Sequence, residues 1–116
     1  MSDFDQLTNE SKYLLAQFMK KFYSNVENGQ SRPQAKRVAL TLDEVEELLP
    51  LAKRDDLKDY VYELSQAGFL THADGNNEPV LITLTNKAIA WSQNKLGNDI
   101  KKWAKFASSL FMLIKP

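Results

Sequence analysis

Residues 54–70 read RDDLKDYVYELSQAGFL. Leu57, Val61 and Leu64 stand at i, i+4 and i+7 with Tyr60 beside them, the period of a helix with one apolar face. Asp55 is an N-cap residue type, and Gly68 suits the left-handed position that ends a helix. Phe69 and Leu70 then open an apolar, strand-like run. The stretch predicts a helix over 55–67 that passes directly into a β-strand. With the apolar residues turned inward, a helical step of about 100° leaves Asp55, Asp59, Tyr62 and Gln66 on the opposite face, flanked by Lys58 and Glu63. That outward face is acidic, which bears on what it can bind.

Downstream, FLTHA (69–73) and VLITL (80–84) are both strand-like and are separated by DGNNEP (74–79). Asp74-Gly75 is a hairpin turn signal, and Pro79 stands at a strand entrance, where a missing N–H is tolerated. Thr85 caps a predicted helix, NKAIAWSQNKL (86–96). Gly97 interrupts it, and Asn98 caps a further helix, DIKKWAKFASSLFMLIK (99–115). Upstream, TLDEVEELLP (41–50) has the T-x-x-E spacing of a capping box in Thr41 and Glu44, and Pro50 closes that short helix. VALT (38–41) is a short extended piece, and QSRPQAKR (30–37) reads as a loop around Pro33. Residues 4–28 form an amphipathic helix on Phe4, Leu7, Leu14, Leu15, Phe18, Phe22 and Val26. Ser2 or Thr8 is expected at its start and Gly29 at its end.

A chain of 116 residues, 43% hydrophobic and 26% charged, fits one soluble globular domain. It has no cysteine, which excludes disulfides, thiol catalysis and Cys-based zinc. His72 is the single histidine, too little for a zinc site and placed as a structural strand residue. DGNN begins like a calcium loop but lacks the later Gly and Glu ligand positions. A phosphate-binding glycine loop and a nucleophile elbow are both missing. The expectation is a non-enzymatic chain without cofactor or metal. No basic-then-apolar leader opens it, and Leu110–Ile114, its longest apolar run, is too short to span a bilayer, so a cytoplasmic location is expected.

The net charge is zero, but the charges are segregated. Residues 1–40 carry six Lys/Arg against four Asp/Glu, residues 41–78 three against ten, and residues 79–116 six against one.

The order helix, short strand, helix, turn, helix, strand, hairpin, strand, helix resembles the winged helix-turn-helix superfamily. The most specific stretch is YVYELSQAGFLTHADGNNEPVLITLTNKAIAW (60–91), within a match over residues 38–92 that residues 4–28 support. The resemblance implies a helix-rich α+β fold: a winged-helix domain over 1–96 with a two-stranded wing at 69–84, and an added amphipathic helix at 97–116. It also implies a DNA-binding transcriptional regulator of bacterial or phage type. The third helix would then enter the major groove, making Arg54, Lys58, Tyr62 and Gln66, with Asn76 and Asn77 on the wing, the candidate contacts to duplex DNA. Against this stands the charge: DNA affinity comes largely from neutralised phosphates, and residues 41–78 offer only Lys53, Arg54 and Lys58 against ten acids. The alternative is a winged helix used as a protein-interaction or scaffold module, with the partner at the acidic face.

The tail helix carries Trp103, Phe106, Leu110, Phe111 and Ile114 on one side and Lys101, Lys102 and Lys105 on the other. Too much apolar surface is present to leave in water. Either the first helix covers it, or a second copy does in a dimer seam, as in many winged-helix regulators. A membrane surface is the least favoured cover.

Overall fold

In the computed structural model, which describes residues 3–114, the central element is helix α1 (Asn9–Glu27). The helix begins later than its apolar period suggests, because Asp3–Gln6 form a separate 3-10 turn that buries Phe4. Thr8 caps α1 through its Oγ1, which accepts from the Ser11 amide. Ser2, the other expected cap, lies outside the described residues. The expected loop at 30–37 contains one helical turn, α2 (Arg32–Ala35). Ser31 and Gln34 form a capping box there, and Pro33 stands in the first turn, where an amide proton has no helical partner.

Strand β1 (Arg37–Ala39) leads into α3 (Leu42–Leu48), whose Glu44 reaches back to the Thr41 amide as the capping box predicts, and to the Leu40 amide as well. Helix α4 (Arg54–Gln66) follows. Asp55 is not its cap; it lies inside the first turn, and Lys53 holds the N-cap position without a side-chain bond. Gly68, at φ 88°, turns the chain out of α4, and the Phe69 amide closes back on the Leu64 carbonyl at 2.9 Å.

Strands β2 (Leu70–Gly75) and β3 (Glu78–Leu84) form the hairpin, and β1 adds to the far side of β3, giving an antiparallel sheet in the order β1-β3-β2. The turn is not at Asp74-Gly75. Gly75 pairs with Glu78, so Asn76 and Asn77 make a two-residue loop, both with positive φ, as a primed hairpin turn requires. Beyond it, at Leu81 (φ 52°) and Ile82, β3 has two residues against the single His72 of β2, while against β1 the register shifts between Arg37 and Ala39, where Val38 is the additional residue. Helix α5 (Asn86–Lys95) is capped by Thr85 as expected, and α6 (Ile100–Ile114) is capped by Asp99, not Asn98: Asp99 Oδ1 accepts from the Lys101 and Lys102 amides.

Leu57, Val61 and Leu64 of α4 are fully buried together with Leu14, Leu15 and Phe18 of α1, Phe69 just before β2, and Ile82 and Leu84 of the sheet. Helix α1 packs along α6 on one side and meets α3 and α4 on another. The rings of Tyr13 and Phe111 lie 5.4 Å apart and those of Tyr23 and Trp103 6.5 Å apart, so α6 runs antiparallel to α1. Trp103 is completely buried, its indole N–H donating to the Gly97 carbonyl at 2.7 Å.

Candidate functional site

The outward face of α4 and the hairpin beside it are held together by one arginine. Arg54 opens α4; its Nε and Nη2 donate to both carboxylate oxygens of Glu78 at 2.8 and 2.7 Å. Its Nη1 donates to Asp43 at 2.6 Å and lies 3.4 Å from Glu46. Asp43 and Glu46 stand one turn apart on α3, and Glu78 starts β3, so three elements converge on one guanidinium. The Glu78 and Asp43 hydrogen bonds raise the Arg54 pKa still further, and the Arg54 hydrogen bond holds the Glu78 carboxyl below its ordinary value. Two-pronged arginine–carboxylate pairing is the strong form of this contact.

The other candidate contacts are placed differently from one another. Lys58 is half-buried, with its Nζ 4.0 Å from Asp55. Tyr62 packs on the hairpin, its ring 5.2 Å from that of His72. Burial first, and then the neighbouring Asp74 carboxylate, push the Tyr62 phenol up. His72 Nδ1 lies 3.2 Å from Asp74, so the hairpin side of α4 is a knit of Tyr62, His72 and Asp74. Gln66, Asn76 and Asn77 are exposed. They are not gathered together: Glu78 and the hairpin tip lie at the Arg54 end of α4, and Gln66 is twelve residues on, about 18 Å at ~1.5 Å per residue.

Glu63 belongs to another job than its sequence position suggests. It turns from the α4 flank to the start of α1, where its carboxylate accepts from the Thr8 amide, Thr8 Oγ1 and Ser11 Oγ, each at 2.7 Å. Lys87 acts at the same C-terminal end of α4, donating to the Ala67 carbonyl at 2.6 Å and pairing with Asp3. Neither role has a local sequence signature, because Glu63 joins residues 52 and 55 positions away and Lys87 joins residues 20 and 84 positions away.

The proposed dimer seam is largely occupied by the chain itself. Trp103 and Leu110 are buried against this chain's own core, while Phe106, Phe111 and Ile114 are half-buried along it. The stripe read as a seam for a second copy is therefore mostly the cover of α1. The most exposed large apolar residues are instead Leu51, Met112 and Leu113, 77%, 69% and 63% exposed.

A groove of about 280 Å³ opens between the α3–α4 turn, α4 and the end of α6. Leu49, Tyr60, Phe111 and Ile114 line it, and Glu10, Asp56 and Lys53 stand on its rim. Among the described residues no group of three or more His, Asp or Glu side chains is arranged to hold a metal ion, and no helix is long and apolar enough to cross a membrane.

No family model matches this chain, and neither a curated protein nor a solved structure matches it.

Proposed function

We propose that this chain is a winged-helix module that binds a protein partner rather than DNA. The element order and the sheet order β1-β3-β2, with a hairpin following α4, support the winged-helix reading. The observation that carries the functional choice is the Arg54 clasp. Residues 41–78 contain three cations, and this one is taken up by Asp43, Glu46 and Glu78. Lys58 sits by Asp55, and Lys53 faces the groove on the other side of the turn. A duplex laid on the α4 face would meet Asp43, Asp55, Asp59 and Asp74 against Arg54 and Lys58, both already beside carboxylates, which leaves little positive charge to displace its counterions. The same surface suits a basic protein surface, for which complementary charge speeds encounter and fixes orientation.

The second reading, a DNA-binding regulator, is favoured by the exposed amides of Gln66, Asn76 and Asn77, which are suited to base-edge or phosphate contacts. It is weakened by their separation along α4.

The test is a gain-of-function comparison. Labelled random duplex DNA is titrated against wild type and against a variant carrying Asp43→Asn, Asp55→Asn, Asp59→Asn and Glu78→Gln. The variant frees Arg54 and removes the repulsion, and it alone is expected to acquire salt-sensitive DNA binding. Wild type binding as tightly as the variant would overturn the reading.

A further inference from the structure

Away from the acidic α4 face, a second surface sets exposed apolar groups beside a concave floor. Leu51 is 77% exposed at the lip of the groove between the α3–α4 turn and α6. Met112 and Leu113 are exposed in the same turn of α6 that sends Phe111 and Ile114 into that groove. Large aliphatic groups scattered singly on a surface are ordinary, but these adjoin a concave apolar floor. The floor is built, not accidental: Phe111 is braced against the Tyr13 ring, and the Tyr13 hydroxyl donates to the Leu48 carbonyl at 3.0 Å, fixing the end of α3 beside it.

The rim has one dominant sign. Glu10 comes from α1 and Asp56 from α4, and both, with Asp59 and Glu63, lie close enough to the Tyr60 hydroxyl to add to the effect of its burial in raising its pKa. Among the described residues that line it, Lys53 is the one cation. An anionic lipid surface is repelled by such a rim, and a neutral apolar ligand would leave its charges unused. A volume of about 280 Å³ takes one or two large side chains, below the usual ~300–1,000 Å³ of small-molecule sites.

We propose that this groove docks a cationic amphipathic helical segment of a partner protein, with leucine- or methionine-type anchors against Leu49, Leu51, Phe111 and Ile114 and lysine or arginine over Glu10 and Asp56. This rests on the protein-interaction reading and adds the place and the partner's chemistry. It is helix-in-groove recognition, in which anchors one turn apart enter the floor and charge at the rim sets orientation.

The probe is a fluorescein-labelled helical peptide of leucine and lysine with leucines at i, i+3, i+4 and i+7. Two controls accompany it: an all-lysine peptide of equal charge and a leucine–glutamate peptide of equal apolar pattern. Anisotropy gives affinity on the full chain, and amide shift mapping gives location. The expected result is saturable binding of the leucine–lysine peptide with shifts around Leu51, Tyr60 and Phe111, and affinity lower by roughly tenfold or more for both controls and for Leu51→Ser and Asp56→Lys. Both substitutions are at exposed positions, and unchanged melting confirms that the fold survives them. Equal binding of the all-lysine peptide, or shifts confined to Asp43, Glu46 and Glu78, would overturn the groove while leaving the interaction reading in place. Groove shifts that grow with protein concentration alone would overturn it in favour of a second copy, and vesicle binding through Leu51 in favour of lipid. Saturable binding of duplex DNA would overturn the interaction reading itself.

Discussion

At the scale of single residues, Glu63 shows how one carboxylate joins two elements. Its oxygens sit at the start of α1, where amide protons have no helical partner and the helix dipole favours negative charge. Ser11 is fully buried and hydrogen-bonds to this carboxylate. Glu63→Ala is therefore expected to cost about 1–3 kcal/mol in urea unfolding, and Glu63→Gln less, since an amide keeps one acceptor. An unchanged midpoint for Glu63→Ala would show that the three bonds are not held in solution. Leu81 makes the opposite case. At φ 52° an L-residue carries a cost of about 1–2 kcal/mol, against roughly 0.5–1 for the chain entropy of glycine. Leu81 is half exposed, so little burial is lost on truncation. Leu81→Gly should melt at or above the wild-type temperature and Leu81→Val below it, the branched side chain fitting this backbone worst. Neither feature is legible in the sequence. Glu63 lies among residues whose helical phase points outward, and its partner is 55 positions away. Nothing in VLITL marks an inserted residue, because glycine is the usual signal and leucine is not.

At the scale of elements, α4 has two faces with separate physics. The inner one was legible, because the i, i+4, i+7 spacing of Leu57, Val61 and Leu64 is enough to place them in the core, where all three are fully buried. Leu64→Asp should abolish cooperative unfolding or shift the aspartate pKa far upward, by burying an unpaired charge. The outer face was legible in composition but not in connection. That ten acids crowd residues 41–78 is plain from the sequence; that Arg54 gathers three of them depends on the hairpin folding back to bring Glu78 to the start of α4. The turn itself was misplaced for a local reason: Asp-Gly and Asn-Asn both satisfy positive φ, and strand pairing of Gly75 with Glu78 decides between them. The clasp has a pH signature. Arg54 lowers the Glu78 pKa in the folded chain, so its contribution is present above the unfolded carboxylate value and is lost as pH falls through the lower folded one. Glu78→Gln should be less stable than wild type at neutral pH, with the gap closing as acid is added. A gap independent of pH in that range would argue against the ion pair.

At the scale of the whole molecule, the last helix completes the core that the first begins. Trp103 is fully buried, and its ring stacks near Tyr23 and lies 5.5 Å from Trp91. The sequence showed that something must cover the α6 stripe; it did not show whether the cover was α1 or another chain, since both offer the same apolar complement. A chain ending at Leu96 should lose its cooperative thermal transition, and Trp103→Ala should cost about 3–5 kcal/mol. Retention of the full transition by the shortened chain would mean that α6 is not part of the folded core. The charge pattern acts on the same scale. Most cations lie outside residues 41–78, and on the α4–hairpin face Arg54 is bound by three carboxylates while Lys58 stands beside Asp55. On the protein-interaction reading proposed above, this face does not hold DNA. This is tested most directly by titrating wild-type protein into labelled random duplex DNA at descending salt. No saturable binding is expected even at the lowest salt. A saturable complex whose log affinity falls linearly with log salt concentration would contradict it.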